Sequence, residues 1–144
     1  MPVFPSEEWF TEVRDEYNKD PSLHSGGGGA CDTISGLEIS DRFFRIQFEG
    51  HQCVDIHESS KSDIDDLDFV ISMPKETWRE MVEDIQANGK ASALLTLNSI
   101  DLSSEESIAY SPVDDQYRQD LFYRYNQNFQ DLIDASARVE TSFE

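Results

Sequence analysis

The last third of the chain carries a run that few folds can accommodate. Tyr117, Leu121, Phe122, Tyr125, Phe129, Leu132 and Ile133 recur every three or four residues without a break, which is the period of one face of an α-helix. The spacing predicts a helix over about residues 114–139. Its stripe covers ~24 Å at ~1.5 Å per residue, comparable to the diameter of a small domain. Side chains of this size cannot stay in water over that length without leaving a large apolar patch. The helix must lie across a sheet or against a second copy, with Leu121, Tyr125, Phe129 and Leu132 buried. Tyr123 falls off the stripe, so some aromatic surface is left for a partner subunit or a ligand pocket.

The preceding segments supply what such a helix can pack on. Ser6 is placed to cap a first helix over about residues 7–19, with Glu7 and Glu8 in its first turn. Trp9, Phe10, Val13 and Tyr17 form its apolar stripe, and Asp20–Pro21 ends it. The glycine-rich stretch 25–29 reads as a flexible loop or lid. Three strands are expected at Asp32–Ser40, Arg42–Glu49 and Gln52–Glu58, the last two joined by a tight turn at Gly50. Phe44, Ile46 and Phe48 share one face with Arg42. Simple alternation sends Val54 and Ile56 to the core, and His51, Cys53, Asp55 and His57 to the other side.

A polar, aspartate-rich loop leads to a fourth strand at Leu67–Met73. Pro74 then fits the first turn of a second helix. Trp78, Met81, Val82 and Ile85 mark its buried face, and Asn88–Gly89 closes it. Ala91–Leu102 reads as a helical turn followed by a strand at about Leu94–Ile100. Ser103–Val113 reads as a polar connection.

Composition narrows the function. The 144 residues suit a single domain spanning 1–144, and nine Phe, five Tyr and two Trp can furnish its core. The formal charge of −19 repels phosphate backbones and anionic lipid surfaces, so nucleic acid and stable membrane insertion are excluded as partners. No apolar run is long enough to span a bilayer, and the first residues lack the pattern of a secretory leader. Two cysteines without a C-x-x-C motif make no disulfide framework. A reduced, cytoplasmic protein is the expectation.

Chemistry-bearing clusters are weak. His51, Cys53, Asp55 and His57 invite a metal, but at ~3.3 Å per residue the two histidines stand ~20 Å apart, beyond the reach of one ion. Cys53 and His57, ~13 Å apart by the same count, cannot share a thiol–imidazole hydrogen bond. The Asp63–Asp68 run has no glycine at the sixth position of a calcium loop and Pro74 at the twelfth. No catalytic residue, metal or cofactor is expected; Asp55 and His57 would be the first groups to mutate if the chain were an enzyme on a hydrophobic substrate.

Several local pieces point one way: Phe4-Pro-Ser-Glu-Glu-Trp9, Asn18-Lys-Asp-Pro21, and Asp68-Phe-Val-Ile-Ser-Met-Pro-Lys-Glu-Thr-Trp78. In this order, with three strands between them, they resemble the sterol carrier protein family of small lipid-binding domains. The likeness covers roughly Phe4 to Leu102. It implies an α+β domain in which a twisted, mostly antiparallel sheet of about five strands, covered by helices, encloses an apolar cavity for a sterol or fatty acyl chain. The lining would come from Phe44, Ile46, Phe48, Trp78, Met81, Val82 and Ile85, with Leu95 and Leu97. Non-catalytic binding of a hydrophobic small molecule is then the expected function. The alternatives are an accessory subunit that binds a larger enzyme through its acidic surface and C-terminal helix, a homodimer, or a small enzyme.

Overall fold

The structure is a computed structural model and describes residues 1–24 and 30–143; the expected glycine-rich loop lies outside the described residues. In chain order the elements are β1 (Val3–Phe4), α1 (Glu7–Lys19), β2 (Thr33–Ile39), β3 (Arg42–Glu49), β4 (Gln52–Ser59), β5 (Val70–Met73), α2 (Lys75–Asn88), α3 (Leu97–Ser103), β6 (Ala109–Tyr110), α4 (Gln116–Asp134) and β7 (Ser142–Phe143). The fold is α+β. Its main sheet runs β4-β3-β2-β5-β6, antiparallel except where β5 lies parallel to β2.

Helices α1, α2 and α4 bury their apolar stripes on one face of this sheet. Trp9, Phe10, Val13 and Tyr17 of α1 meet Phe44, Ile46 and Phe48 of β3, and Trp78, Met81, Val82 and Ile85 of α2 join the same cluster. The terminal helix crosses the sheet: Phe129 stands 5.0 Å from Phe48 and 5.4 Å from Phe69, ring centre to ring centre. The opposite face carries a smaller cluster of Phe43, Ile64, Leu67 and Val70. Ile64 and Leu67 are the apolar pegs by which the aspartate-rich loop closes over it. The same loop is pinned by Arg45, whose guanidinium donates to both carboxylate oxygens of Asp66 and to the Asp63 carbonyl.

Helix boundaries follow local chemistry. Ser6 Oγ accepts from the Trp9 N–H and starts α1. Gly89, at φ 87°, ends α2 in the left-handed region that favours glycine. Pro74 sits one residue earlier than expected, as the N-cap of α2 rather than inside its first turn. Asp115 caps α4, accepting from Tyr117 and Arg118, and the expected single helix becomes α4 followed by a 3-10 turn at Ala135–Arg138.

Four expectations are corrected. First, Val54 is 41% exposed while Cys53 is fully buried. Phe48 pairs with Cys53 and Gln47 with Asp55, so Val54 is an extra residue in β4. Such a bulge interrupts the alternation, and it places Cys53 in the core with Ile56. Second, no strand forms at Leu94–Ile100. Ala93–Leu95 is a 3-10 turn and α3 follows. Thr96 Oγ1 accepts from the Ser99 N–H as an N-cap, and the outer place in the sheet goes to β6 from the supposed polar connection. Third, Tyr117 is 72% exposed and Leu121 only half-buried, so the buried stripe of α4 begins at Phe122. Fourth, β5 is confined to Val70–Met73 and does not reach back to Leu67.

Candidate functional site

The residues expected to line an apolar cavity are brought together. Phe44, Ile46, Phe48, Trp78, Met81, Val82, Ile85 and Leu97 belong to one buried cluster, each at most 1% exposed. Leu95 does not join them; it is half-buried on the turn before α3. Trp78 also anchors α2 to the sheet, donating from Nε1 to the Glu38 carbonyl at 3.0 Å.

Open space lies elsewhere. A cleft of about 480 Å³ forms where the end of α2, the 91–96 connection and α4 converge, lined by Lys90, Ala91, Ser92, Thr96, Gln127, Gln130 and Asp134 among others. That volume falls in the range of small-molecule sites, ~300–1,000 Å³. Gln130 is buried and fixed: its Oε1 accepts from the Leu97 N–H at 2.7 Å and its Nε2 donates to Asp134 Oδ1 at 2.9 Å. The same Asp134 oxygen accepts from the Ala91 N–H at 3.1 Å. Burial holds the Asp134 carboxyl above its ordinary range, against the lowering effect of these two bonds. Gln130 Nε2 also lies 3.9 Å from Met81 Sδ, so the floor of the cleft backs onto the apolar cluster.

Sequence reading missed this cleft. Gln127, Gln130 and Asp134 follow the same three-and-four spacing as the apolar stripe, one strip further round α4. A polar line at core spacing was the available signal. Two smaller clefts, about 300 and 250 Å³, lie beside Thr33 and Phe48 and beside Glu16 and Arg138.

The other candidates separate. Asp55 and His57 pair on the outer side of β4, with Oδ2 and Nδ1 2.7 Å apart and each side chain about half exposed. Cys53 does not share their face. Cys31 and Cys53 are free, buried thiols, pushed up to about 12 by burial. Among the described residues no group of three His, Cys, Asp or Glu side chains could hold a metal ion, and no helix is long and apolar enough to cross a membrane. Compared with known proteins, the chain matches no family model, no curated protein and no solved structure.

Proposed function

We propose that the chain is a non-catalytic binding module for a lipid-like or other hydrophobic small molecule, held between the sheet and helices α2 and α4. The observation that supports this reading most is the continuous apolar layer formed by Phe44, Ile46 and Phe48 with Trp78, Met81, Val82, Ile85 and Leu97. A ligand would enter by parting α2 from the sheet, since the named side chains lie on β3, α2 and the start of α3. The resemblance of Phe4 to Leu102 to sterol carrier proteins supports the same ligand class. Delipidated protein titrated with cis-parinaric acid should give saturable fluorescence, and solvent extraction followed by mass spectrometry should recover an apolar molecule. Failure of both would overturn the reading.

A second reading is an accessory subunit in a larger assembly. It is favoured by Tyr117 and Tyr123, 72% and 50% exposed on α4. Light scattering on the eluting chain, together with a pull-down, tests it. A well-behaved monomer that captures no partner would count against it.

A further inference from the structure

The cleft between α2 and α4 holds hydrogen-bonding capacity that the fold does not use. Both bonds to the Asp134 carboxylate go to Oδ1, from the Ala91 N–H and from Gln130 Nε2. Oδ2 takes none among the described residues, and it is not sealed from solvent. Two turns earlier Gln127 donates from Nε2 to Asp131 Oδ1 at 2.8 Å, and its carbonyl oxygen is left open. The wall therefore offers two open acceptors on one rigid helix, their backbones ~10 Å apart at ~1.5 Å per residue. Lys90, the cation in the lining, is exposed; its charge acts on the Asp134 carboxyl, but it makes no ion pair within 4.0 Å among the described residues. An overall charge of −19 concentrates cations at the surface and repels anions.

We propose that this cleft binds a small linear diamine or amino alcohol, whose ammonium group pairs with Asp134 Oδ2 and whose far end donates to Gln127. The Oδ1 bonds hold the carboxylate in place before the ligand arrives, so little ordering is required on binding. An ammonium–carboxylate hydrogen bond in a half-buried site is among the stronger polar contacts a protein makes. The inference does not rest on the lipid reading: Asp134 and Gln127, the two groups it names as contacts, are not members of the apolar cluster, although Ala91 of the lining is.

The test is a titration with 1,5-diaminopentane followed through backbone amide shifts, in about 0.3 M salt to screen the acidic surface. Saturable shifts are expected at Ala91, Ser92, Gln127 and Gln130, with none from 1,5-pentanediol. Asp134→Asn keeps an Oδ1 acceptor for Ala91 and Gln130, and should weaken binding by about tenfold or more. Gln127→Ala alters an exposed side chain and should weaken the diamine but not n-pentylamine, which keeps the proposal testable should Asp134→Asn unfold. Shifts scattered over the surface without saturation, no shifts, or unchanged affinity in the two variants would each overturn it.

Discussion

Asp66 and Asp134 are carboxylates driven in opposite directions by their surroundings, and they give the pH dependence of stability two opposed contributions. Hydrogen bonds from Arg45 hold Asp66 below its ordinary value of 3.8. A lowered folded-state value means that Asp66 stabilises the fold above 3.8, and that this is lost as the pH falls through the lower folded value. Arg45→Gln should therefore flatten the acid side of a stability-against-pH curve; an unchanged acid limb would show the pair to be inert. Burial holds Asp134 above 3.8, so its ionisation opposes folding, and the favourable contribution is lost as the pH rises through the folded value. Asp134→Asn should then raise the unfolding temperature near neutral pH, since the amide keeps the Oδ1 bonds without the buried charge. Cys31 and Cys53 belong to the same scale. With both pushed up to about 12 by burial, the thiolate needed for exchange is scarce. A thiol-exchange reagent at about pH 8 should leave the native chain unmodified and modify both cysteines once it is unfolded.

An exposed sheet edge invites pairing with other chains, and here α1 covers the open side of β4. Glu7 Oε1 accepts from the Glu58 N–H at 2.8 Å. At the other end the Asn18 side chain donates to the Cys53 carbonyl at 2.7 Å and accepts from the Cys53 N–H at 2.9 Å. The lengths agree: eleven residues of helix rise ~16.5 Å and five residues of strand extend ~16.5 Å. Asn18→Ala would leave both backbone groups of Cys53 without these partners, beside the bulge, and should cost about 1–3 kcal/mol in chemical denaturation. A cost near zero would mean that the aromatic stripe alone holds α1. Elements with chemical punctuation were legible in the sequence: α1 through Ser6 and Asp20–Pro21, α2 through its stripe and Gly89, the β3–β4 hairpin through Gly50. What escaped was decided by pairing across the fold. The bulge at Val54 follows from the match of β4 to β3 and to Asn18, which no local alternation records. Leu95 to Asn98 alternates like a strand, yet the Thr96 cap and the fixing of Leu97 by Gln130 select a helix. The two-residue pairing of β1 with β7 joins the chain's ends and is too short to leave any pattern. In the candidate cleft, the line of Gln127, Gln130 and Asp134 was readable as spacing, but its acceptor-rich chemistry depends on which atoms the 91–97 backbone occupies.

At the scale of the molecule, two large terms oppose each other: self-repulsion from a charge of −19 and burial of an aromatic core under α4. Repulsion between surface charges is screened by salt, with a Debye length of ~10 Å at 0.1 M and ~3 Å at 1 M. Raising sodium chloride across that range should increase the midpoint of urea denaturation, and a fall would show that ion pairs such as Arg45–Asp66 outweigh the repulsion. The burial term is concentrated in the last third of the chain. Phe122, Phe129, Leu132 and Ile133 are each at most 2% exposed, and full burial of a large apolar side chain contributes ~1.5–3 kcal/mol. Four of them contribute ~6–12 kcal/mol, which is about the whole net stability of an ordinary domain, ~5–15 kcal/mol. Loss of the same segment would uncover Phe48 and Phe69, the rings on which Phe129 packs, and remove Thr141, which accepts from Trp9 Nε1 at 2.9 Å. A chain truncated after Pro112 should therefore be unfolded or aggregated, lacking a cooperative transition in thermal denaturation followed by circular dichroism. If that fragment instead proves soluble, monomeric and cooperative, α4 is a detachable element whose aromatic face serves a partner, and the assignment of its stripe to this core is wrong.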